Sequence, residues 1–190
     1  METTGTCRLP LGAMPRIRTA RLELRAPAAQ DAASIARLAD DWDVARRMSR
    51  LPHPYTLDDA LFFLRAIVPN EMAWALTSRG DGRLIGIAGL APGAVPGQVE
   101  LGYWLGRSYW MRGFATEAAE AIVAYAFDDL GLPALASGCF ADNDASRRVL
   151  TKIGFAEVGR GERACLALGG RRRFIEMRLE RTDRGASRRI

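Results

Sequence analysis

Lysine and histidine are almost missing from this chain: one of each, Lys152 and His53, in 190 residues. Lys and Arg together number 27, so the basic charge is nearly all arginine, which reads as a compositional bias and not as a patch built for one partner. Cysteine is scarce too. Cys7, Cys139 and Cys165 are scattered, with no C-x-x-C pair and no histidine nearby in sequence. That argues against a disulfide framework or a zinc site and leaves reduced thiols, with Cys139 and Cys165 packed in strands. No His-paired thiol is suggested, which disfavours acyl transfer through a cysteine nucleophile. No apolar run approaches the roughly 18 residues of a membrane helix. The first 15 residues hold no apolar block of signal-peptide length, so cytoplasmic residence and no membrane partner are expected.

What is present fits one globular domain. The hydrophobic fraction is 48% and the charged fraction 26%, ordinary values for a chain long enough to bury a sizeable core. The net charge of +5 is unevenly placed. Residues 160–190 hold ten Arg against four acids, a net of +6, so the remainder is near −1 (5 minus 6). Such an end could attract a polyanion. Solvated strand faces and a basic tail explain it more simply, and without aromatic interleaving or a recognition helix no nucleic-acid partner is expected.

Residues 1–15 read as a flexible arm, broken by Gly5, Pro10, Gly12 and Pro15, ahead of a domain over 16–180 and a basic tail over 181–190. Alternation marks a first strand at 21–25. Helical patterns follow at 27–41 and, capped by Thr56, at 57–68, with a loop over 49–56 between them. Strands are expected at 72–76, 84–90 and 98–105, the first two joined by a turn at Asp81-Gly82. Ala119, Ile122, Val123, Ala126, Phe127 and Leu130 then repeat at helical spacing over about 112–130. A strand at 134–140, a helix at 143–153, and strands at 162–168 and 172–180 close the domain. The order β-α-α-β-β-β-α-β-α-β-β predicts an α+β fold: a three-layer arrangement around a mixed, mostly antiparallel sheet, not a doubly wound one.

The segment most able to carry chemistry is the passage from strand 98–105 into the following helix. Gly113 and small residues open that helix, where bare backbone N–H groups and the helix dipole suit an anion such as pyrophosphate. Gly113 allows close approach, Ala115 keeps the turn narrow, Thr116 offers a hydroxyl and Arg112 a positive charge. A helix that simply begins at a glycine remains the alternative. The segment is neither G-x-x-x-x-G-K-[ST] nor G-x-G-x-x-G, so nucleoside-triphosphate and dinucleotide loops are set aside.

Two spaced motifs break that tie. Tyr109-Trp110-Met111-Arg112-Gly113-Phe114-Ala115-Thr116-Glu117-Ala118 resembles the Y-W-G-x-G-Y-A-T-E-A segment of the RimJ/RimL-like branch of the GNAT superfamily of N-acetyltransferases. Met111 replaces the usual Gly, and Trp110 stands where the wider family has Gln or Arg. About 30 residues on, Asn143-Asp144-Ala145-Ser146-Arg147-Arg148-Val149-Leu150-Thr151-Lys152-Ile153-Gly154-Phe155 matches N-x-x-S-x-x-V/L-x-x-K-x-G-F at every fixed position. The N-terminal run from Thr19 to Arg25 is also similar, and the resemblance spans about 17–180.

The resemblance implies an acyl-CoA N-acyltransferase fold with a splayed strand pair, here 98–105 and 134–140. It implies direct acetyl transfer from acetyl-CoA to an amine, a peptide N-terminus or a small molecule, without metal. Cofactor contacts are then expected from Tyr103, Leu105, Met111, Arg112, Gly113, Phe114, Ala115, Thr116, Asn143 and Ser146. Glu100 is the candidate base, through water, against the alternative of a solvent-facing edge carboxylate. Ser146 and Tyr103 are candidates for the acid at the departing sulfur, against a first-turn hydrogen bond and a packed aromatic. Asn143 could equally cap its own helix. His53, in a loop between two prolines, is assigned no role. A homodimer fits the branch, and the rival reading is a non-catalytic acyl-CoA-binding or regulatory module.

Overall fold

Strand side chains alternate between two faces, and in this protein each face has its own cluster. The structure is a computed structural model that describes residue 9 and residues 14–182. In β3 (Met72–Ser78) Trp74 and Leu76 enter one cluster while Ala75 enters the other. The sheet has eight strands in the order β1-β2-β3-β4-β5-β6-β8-β7. The others are β1 (Ile17–Arg18), β2 (Leu22–Arg25), β4 (Leu84–Pro92), β5 (Val99–Leu105), β6 (Ala134–Phe140), β7 (Ala156–Cys165) and β8 (Gly170–Glu180). All neighbours pair antiparallel except β5 and β6. Parallel neighbours need a crossover, and α4 (Phe114–Asp128) supplies it. The expected α+β class and mixed, mostly antiparallel sheet are both observed.

The second layer is α4 with α5 (Asp144–Lys152), and the third is α1 (Ala32–Ala39) with α3 (Leu57–Phe62). The periodic residues of α4 do what their spacing predicts: Ala119, Ile122, Val123, Ala126 and Phe127 are all buried. On the opposite face Ile35, Leu38 and Ala39 of α1 meet Ala75, Leu84 and Ile87. Cys139 and Cys165 are buried in β6 and β7, as expected.

Several boundaries differ from the sequence pattern. The helix expected at 27–41 is a 3-10 turn followed by α1, and a separate α2 (Trp42–Ala45) begins where the Asp41 carboxylate accepts from the N–H groups of Asp43 and Val44. The helix expected to reach residue 68 ends as α-helix at Phe62, widens into a π turn over 63–67, and Asn70 Nδ2 then takes the Ala66 carbonyl. The helix expected from 112 starts at Phe114, because Gly113 is left-handed at φ 79°. The strand expected at 162–168 is β7, which begins six residues earlier and ends at Cys165 before a 3-10 turn. Along α5, Leu150 is buried while Ala145 is exposed.

The arginines of the last two strands are mostly paired. Arg160 meets Glu157, Arg163 meets Glu100, Arg171 meets Glu162, Arg172 meets Asp142 and Arg178 meets Glu180. The solvated-face reading of this basic end therefore accounts for them. Most of the expected tail over 181–190 and most of the expected arm over 1–15 lie outside the described residues. Within the arm, Leu9 and Met14 pack against the core, and the Pro15 carbonyl accepts the Trp74 indole N–H at 2.9 Å. Among the described residues no helix is long and apolar enough to cross a membrane.

Candidate active site

Strands β5 and β6 touch at one register pair, Glu100 with Ala136, and then part. Ser137 Oγ marks the parting, donating to the Leu101 carbonyl at 2.8 Å in a buried position. That bond shows which edge of β5 faces the gap. By strand alternation the N–H and C=O groups of Tyr103 and Leu105 lie on the same edge as those of Leu101. The Leu105 carbonyl already accepts the Trp110 indole N–H at 2.8 Å, which ties the following loop to the end of the strand. The parted strands open a cavity of about 430 Å³.

The start of α4 forms one end of this cavity. Gly113, Phe114, Ala115 and Thr116 line it, and among the described residues no side chain caps the helix there. The first intrahelical bond runs from the Glu117 N–H to the Gly113 carbonyl, so the preceding amides have no helical acceptor. Arg21 braces this turn. Its Nη1 donates to the Arg112 carbonyl at 2.8 Å, its Nε donates to Glu117 Oε2 at 2.7 Å, and its guanidinium lies 4.6 Å from the Phe114 ring centre. Glu117 Oε1 also accepts from the Arg21 N–H at 2.7 Å and the Thr19 hydroxyl at 2.5 Å. Burial opposes ionisation of Glu117, but these donors outweigh it and hold its pKa below the usual carboxylate value.

Helix α5 forms the facing wall. Asn143 caps it, its Oδ1 accepting the Ser146 N–H at 3.3 Å, and still lines the cavity. Ser146 Oγ lies 3.0 Å from the Tyr103 hydroxyl, and either can be the donor. Burial pushes the Tyr103 pKa well above its ordinary value, against a smaller opposing effect of that hydrogen bond, so the phenol stays protonated. Cys139 is also on the wall, and burial pushes its thiol up to about 11, which keeps it un-ionised and a poor nucleophile.

Away from α4, Glu100 lines the cavity in an ion pair with Arg163, whose guanidinium sits 4.0 Å from the Phe174 ring centre. Arg50 is also on this wall, gripped by both oxygens of Glu71 at 2.5 and 3.1 Å.

The cavity thus gathers Glu100, Tyr103, Leu105, Met111, Gly113, Phe114, Ala115, Thr116, Asn143 and Ser146. Among the described residues its wall omits Arg112, whose guanidinium lies 5.2 Å from the Phe114 ring centre and whose carbonyl is taken by Arg21. The charge expected from Arg112 is therefore not on the wall. Met111 sits at the mouth, highly exposed and left-handed at φ 59°. Ser137, Arg21, Arg50 and Arg163 escaped the sequence pattern, and only the run from Thr19 to Arg25 hinted at Arg21. Trp74 and Tyr55 are both buried.

Parted parallel strands beside a helix start with free amides form a site suited to a phosphate-bearing molecule laid across the edge of a sheet. The sequence matches the acetyltransferase (GNAT) domain over residues 21–156, and the chain belongs to that family. It is 30% identical over 151 residues to Bacillus subtilis YoaA, an uncharacterized N-acetyltransferase, a match covering 76% of this chain and 85% of YoaA. A GNAT-family acetyltransferase from Bacillus anthracis shares the fold with a TM-score of 0.78 at 21% identity, over 88% of this chain and 99% of the other. RimJ of Mycobacterium smegmatis, solved in complex with CoA-disulfide, shares it with a TM-score of 0.70 at 21% identity, over 84% and 81%. The protein is an N-acetyltransferase that moves an acetyl group from acetyl-CoA to an amine.

Proposed function

We propose that this transfer is direct, that it occurs in the cytoplasm, and that Glu100, Tyr103 and Ser146 carry its proton steps. The reading rests on one observation above the others: the cavity joins the opening between β5 and β6 to the uncapped start of α4. The amides from Gly113 to Thr116 suit the pyrophosphate of acetyl-CoA, with Met111 and Phe114 flanking it. The gap-facing backbone of Tyr103 and Leu105, with Asn143, suits the pantetheine arm, and one N–H of this edge polarises the thioester carbonyl.

The amine must reach the thioester with its lone pair free. Glu100, through water, takes the proton the nitrogen sheds as the new N–C bond forms and the C–S bond breaks. The departing sulfur carries the electron pair of the broken bond. Ser146 Oγ delivers a proton to it and is resupplied by the Tyr103 phenol 3.0 Å away. The protons return to their starting groups through solvent, so no acyl-enzyme is needed.

Calorimetric titration of acetyl-CoA into the wild type and Gly113→Glu tests the site. The new carboxylate would enter the anion position, where a Cβ on Gly113 already meets Arg21 Nη2 at 3.2 Å. Micromolar binding by the wild type, lost in a folded variant, is expected. A folded wild type that binds no acetyl-CoA would overturn the assignment.

A further inference from the structure

The part of the cavity around Glu100 carries two arginines, Arg50 and Arg163. Arg163 pairs with Glu100, and Arg50 is close enough for its charge to act on Glu100. Each guanidinium has five N–H donors. Arg50 uses two on Glu71, and Arg163 uses one on Glu100. Neither makes another hydrogen bond among the described residues. The face of Arg163 is fixed on Phe174, which leaves the remaining edge of a rigid fork on offer. Among the described residues Glu100 is the one acid on the cavity wall.

The β7–β8 hairpin supplies Arg163 and Phe174 to this wall. Leu166 N–H donates to the Ser49 carbonyl at 3.2 Å, and Arg172 Nη1 donates to the Arg46 carbonyl at 2.5 Å. These bonds tie the hairpin to the 46–50 loop that carries Arg50. The tie holds Arg50 and Arg163 on one wall, a spacing suited to a small acceptor.

We propose that the acceptor is a small amine with a carboxylate beside its amino group, an α-amino acid or near analogue. The inference rests on the acetyl-transfer site described above and names its substrate class. Arg50 and Arg163 take the carboxylate, in the planar geometry guanidinium favours, while the amino nitrogen faces Glu100. A polyamine has no carboxylate to meet the unused N–H donors of Arg50 and Arg163.

The test is thiol release from acetyl-CoA by the full chain, read with each of the common α-amino acids, its carboxamide, spermidine, and a short peptide with a neutral N-terminal residue. At least one amino acid should exceed its own carboxamide in kcat/KM by about tenfold or more, the scale of one charge-assisted hydrogen bond. In Arg50→Gln that ratio should fall to within about threefold. A carboxamide, polyamine or peptide that matches or beats every amino acid overturns the acceptor class while leaving acetyl transfer intact. Acetyl-CoA binding without turnover of any amine overturns the catalytic reading and this proposal together.

Discussion

The Tyr103 hydroxyl stands 3.0 Å from Ser146 Oγ, linking the parted strand β5 to the first turn of α5. Neither group suits the thiolate alone: burial disfavours ionisation of the phenol, and an aliphatic hydroxyl is a weak acid without a partner to resupply it. Tyr103→Phe and Ser146→Ala should each lower kcat about 100-fold. The double variant should be little worse than either single one, because groups acting as a unit are not additive. The acetyl-CoA dissociation constant of Tyr103→Phe should stay within about threefold. Because burial raises the Tyr103 pKa, kcat should show no falling limb from this phenol between about pH 8 and 10, where an ordinary tyrosine begins to ionise. Steady-state kinetics across that range checks both points, and unchanged kcat in the two single variants would remove the acid role.

Glu117 gathers three donors from residues nearly a hundred positions earlier: the Thr19 hydroxyl, the Arg21 amide and Arg21 Nε. This is the bond set that holds the α4 start against β2. Glu117→Ala leaves those donors without their acceptor and should cost about 2–3 kcal/mol of stability by urea unfolding. It should also weaken acetyl-CoA binding about tenfold, since the amide cradle loses its brace. Glu117→Gln keeps the shape and two acceptor sites, so it should recover part of both losses. Full affinity in a destabilised Glu117→Ala protein would separate the brace from the site.

The parts of the molecule legible in sequence are those where periodicity and local motif coincide. Helix α4 shows its buried face at helical spacing, and Asn143 and Ser146 occur in one short motif. Strand β7 was partly hidden because it is an edge strand. Most of its residues are solvated, so Ala156 to Arg163 lacks an apolar alternation. The break between α1 and α2 and the π turn after α3 were hidden for another reason: side chains such as Asp41 and Asn70 decide them through local hydrogen bonds, which hydrophobic period does not register. The pairs that shape the site, Arg21 with Glu117 and Arg163 with Glu100, join residues 96 and 63 positions apart. One sequence carries no sign of such partners. Arg112 lies off the cavity wall, and a charged residue beside a loop glycine does not reveal its side-chain direction.

Met111 holds φ 59°, a conformation that costs a residue with a side chain about 1 kcal/mol or more and a glycine almost nothing. Its side chain is 87% exposed, so no packing offsets that strain. Met111→Gly should raise stability by about 0.5 kcal/mol, since relief of strain exceeds the added freedom of the unfolded chain. Thermal unfolding of the two proteins measures the difference. A fall in stability would mean that the exposed thioether contributes contacts in solution.

Asp31 is 5% exposed and carries the strongest test of an internal charge. Both its oxygens meet Arg25, at 2.7 and 2.8 Å, and Oδ2 also accepts the Ala28 N–H at 2.8 Å. Burial opposes ionisation, yet the Arg25 guanidinium and the Ala28 amide together hold the carboxyl below its ordinary value. A carboxyl depressed by folding adds stability above its unfolded pKa, about 3.9, and loses it as pH falls through the lower folded value. Asp31→Asn breaks the pair and leaves Arg25 without its counter-charge. At neutral pH the variant should be less stable by about 2–3 kcal/mol, somewhat under the cost of a fully buried pair because Arg25 keeps some solvent contact. As pH falls below about 4 the two proteins should converge, because protonation removes the same charge from the wild type that the substitution removes from the variant. Urea unfolding at pH 7, 5, 4 and 3 resolves the trend. A stability gap that stays constant across that range would show that Asp31 acts through packing and its hydrogen bond to Ala28, and not through its charge.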